Sequence, residues 1–332
     1  MIEHNFNLVN VNTFGIAAQA AHYYRIDALD DLAGLRDLKA PLFYLGGGSN
    51  VLFTEDYSGT VVHNCMRGIE IIEENDASVL VKAYAGEPWH PFVAHTLSQG
   101  WHGLECLAYI PGQVGATPVQ NIGAYGIEAC QFIERVHVYN LNTQCFEAYG
   151  NDECAFAYRD SIFKSALKDR LIVSVDFRLS KSPHVYERFY PALQAHLHAH
   201  GIDEPASLDI FNAVIAVRRS KLPEVSELGS AGSFFKNPVV DLAKAEALKA
   251  QYPDLVVYPY GEQCKLSAGQ LIDRLGFKGQ YANNVGMYEK QALILVNLGG
   301  ATGQALYAHS VKVMQAVEAA FGICLEPEVI IL

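Results

Sequence analysis

The chain has 332 residues, half of them hydrophobic and 18% charged, a composition that predicts two or three well-cored domains and excludes a disordered protein. Its net charge of -12 at pH 7 argues against nucleic acid or an acidic membrane surface as a partner, so any anionic ligand needs locally gathered basic residues. Residues 1–9 lack the basic-then-apolar pattern of a secretory signal, and no apolar run reaches the roughly 18–20 residues of a membrane helix. The seven cysteines are odd in number and show no CxxC, so they read as buried reduced thiols of a cytoplasmic protein.

In chain order, residues 22–27 predict a strand and 29–38 a short helix with apolar residues at 29, 32, 35 and 38. A second strand at 42–45 runs into Gly46-Gly47-Gly48-Ser49-Asn50, and strands continue at 51–53 and 60–63. A glycine cluster at the carboxyl end of a strand is where α/β sheets bind ligands, and three glycines before Ser-Asn can shape a nest for a pyrophosphate. The pattern is neither GxGxxG nor a P-loop; taken alone, it reads as a flexible turn. Strands follow at 79–85, 136–139, 145–149 and 171–179, and a helix at 88–97 with Pro88 in its first turn. On that helix Trp89, Phe92, Val93 and Leu97 read as a core face, not a cofactor box.

Residues 110–126 form the centre of the chain. This 17-residue run holds four glycines and two prolines and has no helical or strand period. A run that long in a compact domain points to function. Gly112, Gly115, Gly123 and Gly126 allow bare backbone N–H groups to approach a ligand, while Gln113, Thr117, Gln120 and Asn121 alternate with Val114, Val119 and Ile122. A buried loop around a cofactor is therefore expected.

Beyond it, Arg159 lies between Tyr158 and Asp160, which fits either a structural ion pair or a guanidinium held to face a carboxylate. Tyr186, Phe189 and Tyr190 stand out in a linker at 180–206, as does a short helix at 191–200. There His196 and His200 share a face, but without an HExxH pattern no metal site is expected. A helix at 209–219 ends in the basic run Arg218-Arg219-Ser220-Lys221, either a complement to the helix dipole or an anion cluster. Residues 229–238 read as a loop in which Ser233 follows Gly232 and precedes two phenylalanines; a hydroxyl in such a dry setting can donate a proton. Helices are expected at 241–251, at 267–275 with Ser267 as N-cap, and at 302–321 with Thr302 as N-cap and Gly322 as stop, with a strand at 292–297. Glu328 opens a short apolar strand at the end of the chain.

Six stretches taken together resemble one family over residues 12–329. They are Asn12-Thr13-Phe14-Gly15, Gly46 to Phe53, residues 110–126, Tyr158 to Lys164, Ala231 to Pro238, and Leu325-Glu326-Pro327-Glu328-Val329. Their order and spacing resemble UDP-N-acetylenolpyruvoylglucosamine reductase, also called UDP-N-acetylmuramate dehydrogenase, in its longer-looped (type I) form. The resemblance implies an α+β protein: a vanillyl-alcohol-oxidase-type FAD-binding fold of two α/β subdomains plus a carboxyl-terminal α+β substrate domain. On this chain those become residues 1–66, residues 67–205 with 323–332 returning to them, and residues 206–322. It further implies non-covalent FAD, NADPH as reductant, UDP-N-acetylglucosamine enolpyruvate as substrate and a monomeric state. Matching motifs position by position, Ser233 takes the place of the proton donor, and Arg159 and Glu328 those of the other two catalytic residues. The FAD-contacting segments correspond to Gly46, Gly47, Gly48, Ser49 and Asn50, and to Pro111, Gly112, Gly115, Ala116, Thr117, Gln120, Asn121, Gly123, Ala124, Tyr125 and Gly126. Tyr190, Arg218, Lys221, Asn237 and Gln291 match substrate-holding positions. Only four residues follow Glu328, where longer members carry a tail. Two other readings remain: a flavin oxidase of the same fold acting on an alcohol or sugar, and a nucleotide-sugar-binding protein without catalysis.

Overall fold

The computed structural model describes residues 1–184 and 189–332; Tyr186, one of the three aromatics singled out in the linker, lies outside them. The chain divides into two compact units. The first comprises residues 1–6, 20–47 and 58–220, and the second residues 7–19, 48–57 and 221–332.

The first unit holds two sheets. In one, the strands run in the order Ile2–Asn7, Gln19–Ile26, Tyr57–Asn64 and Leu42–Leu45, the last two parallel. In the other, Cys145–Gly150, Ile133–Asn140, Arg170–Ser180, Ser78–Tyr84 and Ile69–Glu74 form an antiparallel five-stranded sheet. Its central strand, Arg170–Ser180, is buried along most of its length, matching the unbroken apolar run in its sequence. Helix α1 (Trp89–Ser98) packs on that sheet through Trp89 and Phe92, whose rings meet Phe177 at 5.8 and 5.3 Å. These are core residues, as the sequence predicts. Pro88 is the N-cap of α1, one position before the first turn. Residues 29–37 form a 3-10 helix, not an α-helix. Apolar residues spaced every three positions fit that three-residue turn and bury Leu32 and Leu35 together. Helices α2 (Pro191–Ala199) and α3 (Ser207–Lys221) complete the unit; α3 belongs to it as far as Ser220, although the sequence places this stretch in the carboxyl-terminal domain.

In the second unit, Gly229–Ser233, Ile294–Asn297, Val285–Met287 and Tyr281–Ala282 form one antiparallel sheet. A smaller one joins Val239–Asp241, Gln263–Leu266 and Val257–Tyr260. Helices α4 (Leu242–Gln251), α5 (Ala268–Arg274) and α6 (Gly303–Phe321) follow the predicted spans. Ser267 accepts from the Gln270 N–H and Thr302 from the Ala305 N–H, and Gly322 is left-handed at φ 61°, so both N-caps and the stop fall where the sequence puts them.

Two further expectations fail. The stretch 229–233 is a strand, not a loop: its glycines and serines carry no strand signature, and its pairing with Ile294–Asn297 is long-range. The terminal strand Ile330–Ile331 pairs in parallel with Val51–Leu52, not with residues 67–205. All seven cysteines are free, and Cys106, Cys154 and Cys264 are buried as expected, whereas Cys145 and Cys324 are exposed. Among the described residues no helix is long and apolar enough to cross a membrane.

Candidate functional site

In the second unit, the Asn12-Thr13-Phe14-Gly15 turn is fixed by its own asparagine. The Asn12 side chain donates to the Leu8 and Ile16 carbonyls at 2.8 and 2.9 Å and accepts from the Ile16 N–H at 3.0 Å. Thr13 then donates its N–H to the Gly48 carbonyl at 3.0 Å and takes the Ser230 N–H on its own carbonyl, while Asn297 donates to Phe14. The motif thus ties the glycine loop to the strand that carries Ser233. Gly48 sits at φ 62°, and a Cβ there would lie 2.0 Å from the Val11 carbonyl oxygen, so only glycine fits.

The same unit brings Ser233 and Glu328 together. Phe234 takes the Glu328 N–H on its carbonyl at 2.8 Å, Phe235 bridges Pro327, and the Lys236 N–H reaches Glu326 at 3.0 Å. In this antiparallel register Ser233 is one step from Glu328. Phe234 and Phe235 are fully buried, with rings 5.0 Å apart, and anchor the strand while Ser233 itself stays exposed. Asn50 joins them: its side chain donates to the Glu328 carbonyl at 3.3 Å and its own carbonyl accepts from Ile330. Asn237 accepts from the Ala268 N–H at the start of α5, and the Gln291 side-chain oxygen lies beside Gly269 of the same helix. Lys221, the last residue of α3, is exposed.

In the first unit, the 110–126 loop is buried in part, with Pro111 and Gly126 exposed at its two ends. Val114, Thr117, Asn121 and Ile122 are all under 9% exposed. Short pieces of structure interrupt it: a 3-10 turn at Val114–Ala116 and a two-residue strand, Gly123–Ala124, pairing with Ile127–Glu128. Asn121, left-handed at φ 44°, is the hub. Its amide donates to Glu128 at 3.0 Å and to the Ala157 carbonyl at 3.2 Å, and accepts from the Cys130 N–H at 3.0 Å. Ser161 adds a 2.6 Å bond to Val119. Asn121 is therefore committed to holding the 157–161 turn against the loop.

That turn delivers Arg159. It too is left-handed, at φ 55°; its guanidinium donates to the Gly123 carbonyl at 2.9 Å and lies over the Tyr158 ring at 5.2 Å. A Cβ at Gly123 would stand 3.2 Å from the Arg159 Nη1, so glycine keeps the approach open. Arg218 faces the same region. Burial lowers its pKa, Tyr125 bonds it and counters that shift, and the charge of Arg159 adds to the lowering. Tyr125 in turn meets the Tyr190 ring edge-on at 5.9 Å. The structure thus groups Arg159, Arg218, Tyr125 and Tyr190: two guanidiniums and two phenols, a set suited to an anionic ligand with a planar group. Of the described non-glycine residues with positive φ, Asn121, Tyr125 and Arg159 fall in these two loops and Tyr109 and Ala155 just before them, a concentration of backbone strain typical of functional sites.

Comparison with known proteins identifies the family. An FAD-binding-domain model matches residues 32–146, and a model of the UDP-N-acetylenolpyruvoylglucosamine reductase carboxyl-terminal domain matches residues 224–332. The Chromobacterium violaceum protein of that reductase name is 47% identical over 328 residues, 97% of this chain and 96% of the relative. Its Flavobacterium johnsoniae namesake is 43% identical, covering 99% of this chain and 98% of its own. The chain belongs to the UDP-N-acetylenolpyruvoylglucosamine reductase family. It is an FAD-dependent oxidoreductase of peptidoglycan-precursor synthesis. The crystal structure of the Thermus caldophilus enzyme of this family shares the fold, with a TM-score of 0.69 at 21% identity over 100% of this chain and 98% of that one.

The residues present fit FAD. Beside Gly46, the Gln113 Oε1 is buried with no hydrogen-bond partner, an acceptor waiting for a donor from outside the protein. Next to it Gly47 and Gly112 pack backbone against backbone, since a Cβ at Gly47 would stand 3.1 Å from the Gly112 Cα. Sequence reasoning did not single out the unpartnered Gln113 acceptor, nor Tyr109 as a partner of Arg218. The first was legible as a polar residue inside the loop; the second had no local signal.

Proposed function

We propose that this protein reduces the enolpyruvyl ether of UDP-N-acetylglucosamine to the D-lactyl ether, with NADPH as the source of electrons. Bound FAD supplies the hydride for one carbon of the alkene. The chain's own residues do the rest. Arg159, braced by the Gly123 carbonyl and the Tyr158 ring, stabilises the negative charge that develops on the substrate's carboxylate and adjoining carbon. Ser233 donates the proton to that carbon, and Glu328 assists from the neighbouring register position. Arg218 and Lys221 hold the diphosphate, Tyr190 covers the uridine end, and Asn237 and Gln291 contact the sugar. Gly46 to Asn50 and the 110–126 loop hold FAD in a monomeric cytoplasmic enzyme whose substrate domain begins at the end of α3, at residue 221.

The observation that supports this reading best is the pairing of residues 234–236 with 326–328, which brings the backbone of Ser233 within one register step of Glu328 on a segment anchored by buried phenylalanines. The test is the visible spectrum of the purified protein. A non-covalent flavin should be bleached by NADPH and restored by the enolpyruvyl sugar nucleotide. Restoration by oxygen with an alcohol as electron donor, or a colourless protein that binds UDP-sugars, would refute the assignment.

A further inference from the structure

Arg218 is held by a residue that the function described above does not use. Tyr109 is half-buried and left-handed at φ 59°, a conformation that costs a bulky side chain energy and persists only where neighbours enforce it. Three contacts enforce it. The Tyr109 N–H donates to Nδ1 of His90 at 3.2 Å, and the two rings meet edge-on at 5.4 Å. His90 is itself stacked on Phe211 of α3 at 5.5 Å and 17°. On the other side, the Arg219 guanidinium lies over the Tyr109 ring at 5.1 Å and donates to its hydroxyl at 3.2 Å. So clamped, the backbone turns its carbonyl oxygen to Nε of Arg218 at 3.0 Å. For His90 to accept through Nδ1 its ring must be neutral, and burial together with the charges of Arg219 and Arg218 lowers its pKa accordingly.

The chemistry explains why a carbonyl is used. Arg218 and Arg159 repel each other, so Arg218 needs an acceptor to fix its direction. A carboxylate would fix it but would also cancel its charge. A main-chain carbonyl orients the guanidinium and leaves the charge for an anion, as the Gly123 carbonyl does for Arg159.

We propose that Tyr109 is a positioning residue: clamped between His90 and Arg219, it aims the Arg218 guanidinium at the nucleotide-sugar diphosphate. This rests on the substrate-binding reading of Arg218. The test measures UDP-N-acetylglucosamine binding to the FAD-loaded enzyme by titration calorimetry, using Tyr109→Gly, Tyr109→Phe, Arg218→Ala and the Tyr109→Gly/Arg218→Ala double variant. Glycine keeps the left-handed turn but removes the clamp. It should weaken binding about tenfold or more, the worth of a hydrogen bond to a charged group, with flavin content unchanged. Phenylalanine keeps the ring and the carbonyl and should change binding less than about threefold. In the Arg218→Ala background, Tyr109→Gly should add less than about twofold, because it acts through the missing guanidinium. Equal losses in both backgrounds, or no loss with Tyr109→Gly while Arg218→Ala weakens binding, would overturn the positioning role alone. Unchanged binding with Arg218→Ala would overturn the substrate reading of Arg218 and this proposal with it. If the glycine variant does not fold, Tyr109→Asn, which also tolerates the left-handed region, carries the same expectations.

Discussion

His63 makes part of this enzyme's stability dependent on pH in a way that can be calculated. It lies opposite Leu45 in the parallel pair of strands, immediately behind Gly46. Its Nδ1 shares a 2.6 Å hydrogen bond with the Tyr23 hydroxyl, and its ring also bonds the Gly46 backbone. Burial pushes Tyr23 up to about 12, so the phenol stays protonated and donates, and Nδ1 must stay bare to accept. Burial, aided by Arg25, pulls His63 down from 6.5 to about 4. The unfolded chain thus takes up a proton near pH 6.5 that the folded chain refuses until about pH 4. Stability from neutral His63 is fully present above pH 6.5 and is lost as pH falls toward 4. The full loss is about 3 kcal/mol, and about 2.5 kcal/mol is already gone at pH 4.5, a large share of a typical 5–15 kcal/mol total. Urea unfolding of the FAD-saturated wild type and of His63→Gln at pH 7 and pH 4.5 checks this. The wild type should lose about 2.5 kcal/mol more than the variant. Equal losses, or a His63 ring-proton resonance titrating near 6.5, would refute the reasoning.

Other expectations follow from the two clusters. Asn121→Ala removes a buried amide with three partners and should destabilise the protein by about 2–4 kcal/mol, with FAD lost from the purified protein; calorimetry and the flavin absorbance read both. Gly48→Ala puts a Cβ 2.0 Å from the Val11 carbonyl and should also empty the flavin site, while leaving the expression and fold of the chain measurable by circular dichroism. Glu328→Gln should keep FAD and slow substrate-driven turnover about 10²–10³-fold; a normal rate would leave Glu328 a structural residue.

The parts of the fold that sequence made legible are those with local causes. Thr302, Ser267 and Gly322 bracket helices through contacts within one turn, and Trp89 and Phe92 announce a core face by spacing. Asn12 and Gly48 were legible as motif members, but their joint purpose was not, because the bond from Thr13 to Gly48 spans 35 residues. The strand carrying Ser233 looked like a loop because Gly and Ser give no strand pattern; its partners come from residues 293–297 and 326–328. Tyr109 was silent for the same reason: its meaning lies in Arg218 and Arg219, over a hundred positions away.

Ser233 carries the central claim, and separating the two half-reactions by stopped-flow tests it most directly. With Ser233→Ala, flavin reduction by NADPH should keep its wild-type rate, while reoxidation by UDP-N-acetylglucosamine enolpyruvate should fall about 10²–10⁴-fold, the usual worth of a positioned proton donor. Reoxidation of the variant at the wild-type rate would contradict the account.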